Sequence, residues 1–175
     1  MLIMPFLGAH TYQGDTGKGS SAGLRLGTMV GGRIGEMFSI NGEFGIDGLN
    51  PDNVPTGVDV TAVSVDVTLS PLVHVRTGAI ELVAGPKLGF WGARSEAKSS
   101  ASGATASASG NGNLIGLNAG LFANVSNGMA IGGLLSFDVR FPGHFCFQNP
   151  GMAEMCGDAT GSAAKVLGIT GAALF

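Results

Sequence analysis

The stretch Phe38 to Asp47, FSINGEFGID, decides the fold. Phe38, Ile40, Gly42, Phe44 and Ile46 share one parity, while Ser39, Asn41, Glu43, Gly45 and Asp47 share the other. A period of two makes this a strand with one apolar and one polar face. The alternation returns at Val63–Ser70, where Val63, Val65, Val67 and Leu69 interleave with Ser64, Asp66, Thr68 and Ser70. It returns again at Gly133–Phe141, where Leu135, Phe137 and Val139 interleave with Leu134, Ser136, Asp138 and Arg140.

Working outward, the same pattern predicts eight strands, at residues 3–12, 21–31, 37–47, 58–70, 79–92, 113–124, 129–141 and 162–175. Each has the roughly 9–11 residues, or slightly more, with which a tilted strand crosses a bilayer. No helical stripe competes. The connections alternate in length: long at 13–20, 48–57, 93–112 and 142–161, shorter at 32–36, 71–78 and 125–128. Long and short connections therefore fall on opposite rims. Asn127-Gly128 is a tight hairpin signal, and the low-complexity run Ser99–Gly112 reads as a flexible loop. Two strands carry irregularities. Pro86 deletes a ladder hydrogen bond, which predicts a local bulge. Val58 and Val60 are out of phase with Val63 and Val65, which predicts a bulge near Ala62 or a later strand start.

Composition agrees with a membrane strand barrel. The 175 residues suit one domain, residues 1–175. They are 45% hydrophobic but 12% charged, about half the roughly 25% of a soluble domain. No run approaches the ~18 apolar residues of a membrane helix. The net charge is −3 and the 9 Lys and Arg are dispersed, which excludes a nucleic-acid footprint. The opening MLIMPFLGAHTY has no basic n-region and no small-residue cleavage site, so it does not read as a signal peptide, and a mature or engineered start is expected.

An eight-stranded antiparallel barrel is either soluble with its apolar face inside, as in a lipocalin-like pocket, or embedded with that face outside. The polar parity decides, because it is mostly glycine with a few charges: Arg25, Glu43, Asp47, Asp66, Glu81, Lys87, Asp138 and Arg140. As a water-facing surface this would be bare backbone. As the inside of a narrow barrel, glycine leaves room for long charged side chains. The opposite parity, including Leu24, Leu26, Leu88, Ile115, Leu117 and Ile169, carries no charge at mid-strand, where Arg or Lys facing lipid costs ~2–4 kcal/mol.

The whole chain resembles the small eight-stranded outer-membrane β-barrels of Gram-negative bacteria, such as the OmpA transmembrane domain and OmpX. The resemblance rests on the alternating segments, the succession of long and short connections, and the final strand KVLGITGAALF ending in Phe175. It implies an all-β, up-and-down transmembrane barrel in the outer membrane, with termini and short turns periplasmic and the four long loops extracellular. It also implies a C-terminal signal at Phe175 read by the assembly machinery, with outer-membrane lipid and lipopolysaccharide as surroundings. Trp91 and Tyr12 are the only Trp and Tyr, so Phe44, Phe90, Phe137 and Phe141 are expected to form the interfacial belt.

The eight inward charges have two readings: a salt-bridge network closing the lumen, or a narrow gated pathway for small solutes. Cys146 and Cys156 bracket a turn-rich segment without a metal-ligand pattern, which favours a disulfide and an oxidising compartment. No cofactor is expected. His10 has inward parity and reads as a core residue; His74 and His144 lie at opposite rims and cannot share a metal. Outer-membrane lipid A deacylases and palmitoyltransferases use a Ser/His pair. Ser126 and Ser136 have no predicted His beside them, so no enzyme is expected. GDTGKGS at Gly14–Ser20 fails the phosphate-loop spacing, and Asn124-Val125-Ser126 is a chance glycosylation match in a bacterial chain. Phe145, Phe147, Met152 and Met155 gather in the last long loop, either packed on the barrel mouth or held for a surface ligand. The expected role is structural or surface interaction; the alternatives are a porin-like passive channel and OmpW-like uptake of hydrophobic molecules.

Overall fold

A computed structural model describes residues 1–13, 23–50, 54–126, 128–159 and 163–175. They form nine strands: β1 (Leu2–Gln13), β2 (Gly23–Ile34), β3 (Phe38–Leu49), β4 (Val58–Thr77), β5 (Ile80–Ser99), β6 (Thr105–Ser126), β7 (Met129–Gln148), β8 (Met155–Asp158) and β9 (Ala164–Leu174). Each of β1 to β7 pairs antiparallel with its chain neighbour, and β9 joins β7 to β1, so eight strands close a ring without edges. The short β8 is additional and pairs only with β7, beyond the end of β9. Closure leaves no open sheet edge among the described strands, as hydrocarbon requires.

The alternation read from the sequence is the alternation of faces. In β3 the residues Ser39, Asn41, Glu43 and Asp47 are buried inside the ring, while Phe38, Ile40 and Phe44 face out. The outward columns form a band of Leu, Ile, Val and Phe, with Leu26, Leu69, Leu88, Leu117, Leu135 and Ile169 each about half exposed or more.

The strands outrun their expected ends. The connection expected at 93–112 shrinks to residues 100–104, because β5 continues to Ser99 and β6 starts at Thr105. The low-complexity run is therefore largely strand, paired with β5 from Thr105 onward. The turn expected at 71–78 shrinks to Gly78-Ala79, with Gly78 at φ 59°, a conformation glycine adopts without a Cβ clash. Part of 142–161 is likewise strand, in β7 and β8. The reason is visible on β5, whose outward column reads Leu82, Ala84, Pro86, Leu88, Phe90, Gly92, Arg94, Glu96, Lys98. Charge begins where the wall leaves hydrocarbon, although the backbone pairing continues. The same boundary explains β4. Val58 and Val60 point inward with no register shift from Val58 to Leu69, so the expected irregularity near Ala62 is absent. Above the lipid the outer face, Asp59 and Thr61, is the wetter one.

The bulge expected at Pro86 is also absent. Leu69 pairs with Leu88 and Val73 with Ala84 in one register, so no residue is inserted between them. That register sets Pro71 opposite Pro86, and the pairing lapses around this pair because neither imide nitrogen has a hydrogen to donate. A bulge does occur on β7, where Asn111 and Gly112 of β6 oppose His144 and Pro142 and leave Gly143 extra. The polar loop Gly14–Ser20, most of the 13–20 connection and Asn127 of the hairpin signal lie outside the described residues.

Candidate functional site

The lumen is built by register. Arg25 of β2 lies opposite Asp47 of β3, and Gly45, two residues before Asp47, pairs with Asp66 of β4. Because Gly45 has no side chain, the Arg25 guanidinium crosses over it to the next strand. Its Nη1 donates to Asp66 Oδ2 at 2.6 Å and to Asp47 Oδ1 at 3.1 Å, and its Nη2 donates to Glu43 Oε1 at 2.8 Å. Arg140 of β7 meets the same carboxylates from the far wall: Nη2 lies 3.1 Å from both Asp47 Oδ2 and Asp66 Oδ2, and Nη1 donates to Ser64 Oγ at 2.7 Å and Tyr12 Oη at 3.0 Å. Lys87 of β5 reaches over Gly116 of β6 to Asp138 of β7, at 2.9 Å. Lys87 also lies 3.6 Å from Glu43.

Seven of the eight charges singled out in the sequence, Arg25, Glu43, Asp47, Asp66, Lys87, Asp138 and Arg140, thus form one connected cluster, each at most 2% exposed. Three cations face four carboxylates, and His10 stands beside them, its Nδ1 3.2 Å from Asp47 Oδ1. The eighth, Glu81, is elsewhere. It lies at the rim that carries the termini, where Arg33, Arg76 (2.8 Å) and His74 Nδ1 (2.7 Å) surround it.

Sequence reading missed the apolar part of the interior. Leu2, Met4, Phe6, Met29, Leu72, Val83, Phe122, Ala130, Leu134, Ala172 and Leu174 form a buried cluster in the half of the lumen near the termini. Their parity is that of the polar face, so following each inward column to its end would have found them. β7 runs inward from Arg140 through Asp138 and Ser136 to Leu134 and Ala130. At the rim a recess of about 530 Å³, lined by Arg33, Arg76, Glu81 and Met129, ends on Leu2, Ala130 and Leu174.

Two Ser–His–carboxylate sets also escaped the sequence. Ser39 Oγ is 2.7 Å from His74 Nε2, whose Nδ1 meets Glu81. Ser136 does have a histidine after all: its Oγ is 3.2 Å from His10 Nε2, whose Nδ1 meets Asp47. Register makes the second set, since His10 and Ser136 both pair with Gly168 of the intervening β9. Every member of both sets is at most 6% exposed. Trp91 and Tyr12 are likewise turned inward on Arg140, 5.9 and 5.3 Å from its guanidinium carbon. The outward aromatics of the wall therefore include the expected Phe44, Phe90, Phe137 and Phe141, with Phe38 beside them at the rim of the termini.

Beyond the lipid band β7 and β8 form a hairpin joined by the Cys146–Cys156 disulfide. The Gly143 bulge moves the register by one residue, which reverses the faces beyond it. Phe145 therefore turns toward the mouth, beside Gly110 and near Trp91, yet it remains 48% exposed. Met152 and Met155 are more open still.

An edgeless eight-stranded ring, apolar outside and glycine-and-charge inside, is a small β-barrel of the outer-membrane type. No family model matches the sequence, and no curated protein matches it. Solved structures do. Neisserial surface protein A, NspA, superposes with a TM-score of 0.67 at 11% identity, over 99% of this chain and 94% of that one. A major outer-membrane protein from Thermus thermophilus gives 0.68 at 14% identity, over 99% of both chains. Ail, the attachment invasion locus protein of Yersinia pestis, gives 0.57 at 14% identity, over 99% of this chain and 96% of that one. At these identities the likeness is one of fold.

Proposed function

We propose that the protein is an integral outer-membrane barrel, close in plan to OmpA and OmpX, whose role is structural or surface interaction and whose lumen is closed to solutes. The termini and short turns then face the periplasm, the four longer connections face outward, and Phe175 is the signal to the assembly machinery. The observation that carries the reading is the stacking inside the ring. A solute would have to part seven mutually paired charges and then an apolar cluster that offers it no polar partner. Purified protein in planar bilayers should give little or brief conductance; stable nanosiemens-scale openings would overturn the closed lumen and favour the channel.

The surface role falls to the hairpin, where Phe145, Phe147, Met152 and Met155 keep more apolar area open than a solvated loop needs. Deleting residues 147–155, which removes Phe147, Met152 and Met155, should leave the folded barrel intact and abolish its binding to lipopolysaccharide vesicles or to envelope extracts. Unchanged binding to both would remove the hairpin from the interface. We assign no catalytic role to the two Ser–His–carboxylate sets, because the described residues leave neither hydroxyl open to a substrate. Lipid A hydrolysis in mixed micelles that disappears in Ser39→Ala or Ser136→Ala would contradict this.

A further inference from the structure

We infer that the β7–β8 hairpin, when its disulfide is reduced, is a four-ligand site for a zinc-like divalent cation. Register pairs His144 with Asp158 and Cys146 with Cys156. Two directly opposed pairs, two residues apart on each strand, put all four side chains on one face of the hairpin. His144 Nδ1 lies 3.4 Å from Asp158 Oδ1. The ligand atoms of His144, Cys146 and Cys156 all lie within 4.8 Å of one another. A tetrahedral zinc with bonds of ~2.0–2.3 Å spaces its donors at about 3.3–3.8 Å, close to the spacing that His144, Cys146 and Cys156 already have, and the exposed Asp158, held beside His144, is to rotate inward as the fourth ligand. Phe145, Phe147 and Met155 occupy the opposite face of the hairpin and do not compete. The sequence conceals this set because His144-x-Cys146 and Cys156-x-Asp158 meet only through the strand pairing.

The chemistry balances with a thiol reductant. Two electrons and two protons pass from a dithiol to Cys146–Cys156, and the dithiol leaves as its own disulfide. The cation then displaces one proton from each thiol and takes two thiolates, one neutral imidazole and one carboxylate. Oxidised and metal-bound forms exclude each other, because the same two sulfurs serve both. The hairpin would therefore hold metal only under reducing conditions, and bound metal would slow its reoxidation.

The test uses the full chain, folded in detergent, reduced with a phosphine and titrated with Co²⁺ as a spectroscopic stand-in for Zn²⁺. The expected result is a 1:1 complex with a thiolate-to-cobalt charge-transfer band and the visible bands of a tetrahedral ion. Neither should appear in the oxidised protein or in Cys146→Ser. His144→Ala and Asp158→Ala should each weaken Co²⁺ and Zn²⁺ binding at least about 10-fold. Absence of the band in reduced wild type overturns the site; wild-type affinity in either variant reduces it to ordinary dithiol chelation and equally overturns it. Because these residues lie beyond Arg140–Ala164, the last pair that closes β7 on β9, the heat-dependent gel shift of the folded barrel verifies that every variant is native.

Discussion

Arg25→Met is the sharpest test of the lumen, because it removes one charge and leaves the volume nearly filled. In the wild type the guanidinium lies within 2.6–3.1 Å of three carboxylates, those of Glu43, Asp47 and Asp66. Without it, two cations, Arg140 and Lys87, face four buried carboxylates. Arg140 still reaches Asp47 and Asp66, but Glu43 keeps only Lys87 at 3.6 Å and the Asn118 amide at 3.2 Å. Breaking a buried pair from one side costs about 3–5 kcal/mol, since the stranded carboxylates lie away from water. The control is Arg94→Met. Arg94 pairs with Glu96 at 2.7 Å, but both are largely exposed, and such a pair contributes only ~0.2–1 kcal/mol. Urea unfolding in lipid vesicles, followed by the fluorescence of Trp91, the sole tryptophan, reads both variants. Asp66→Asn added to Arg25→Met should return part of the loss, as coupling between contacting residues requires. If Arg25→Met unfolds within about 1 kcal/mol of wild type, level with Arg94→Met, the interior is hydrated and the argument for a closed lumen fails.

Two further perturbations probe the outer wall and the glycines. Leu117 and Asn111 share the outward column of β6, one in the apolar band and one above it. In the same vesicle titration Leu117→Arg should cost ~2–4 kcal/mol and Asn111→Arg at most about 1; equal costs would misplace the lipid boundary. A Cβ at Gly168 would collide with the His10 ring and lie 2.5 Å from Ser136 Oγ, whereas one at Gly133 meets nothing nearer than Thr170 O at 3.5 Å. Gly168→Ala should therefore lose ~1–3 kcal/mol through overpacking and Gly133→Ala no more than about 0.5, and parity between them would mean that His10 does not cross β9.

The faces of the wall were legible because hydrocarbon on one side enforces a period of two over every membrane-crossing segment. The inward and outward assignments of Arg25, Glu43, Leu117 and Leu135 needed nothing else. The same logic made the strands too short. A reader tracking apolar residues stops where lipid stops, at Gly92 on β5 and near Asn113 on β6, while hydrogen bonding continues to Ser99 and from Thr105. The backbone has no reason to stop at the bilayer surface, since cross-strand pairing is equally available in water. The proline irregularity was misjudged for a related reason. One Pro in a ladder argues for an extra residue, but Pro71 and Pro86 face each other and lose their donors together.

The contacts themselves were hidden in the register, and the glycines mark where to look. Arg25, Lys87 and His10 each reach a partner two strands away, and in each case the strand between offers a glycine beneath the crossing side chain: Gly45, Gly116 and Gly168. At all three a Cβ would meet the crossing side chain. Composition alone suggests that glycine merely makes room in a narrow barrel. Position says more, because two of these glycines are aligned with a long polar residue on one side and a short polar or acidic one on the other, Lys87 and Asp138 about Gly116 and His10 and Ser136 about Gly168, while Gly45 lies between Gly27 and Asp66 and is crossed obliquely by Arg25. An inward glycine is thus a directed gap that selects which charges pair. Neighbouring strands fix the sheet through backbone hydrogen bonds, and these crossings couple every other strand through side chains. Charge in this barrel accordingly ties the circumference together as well as filling it.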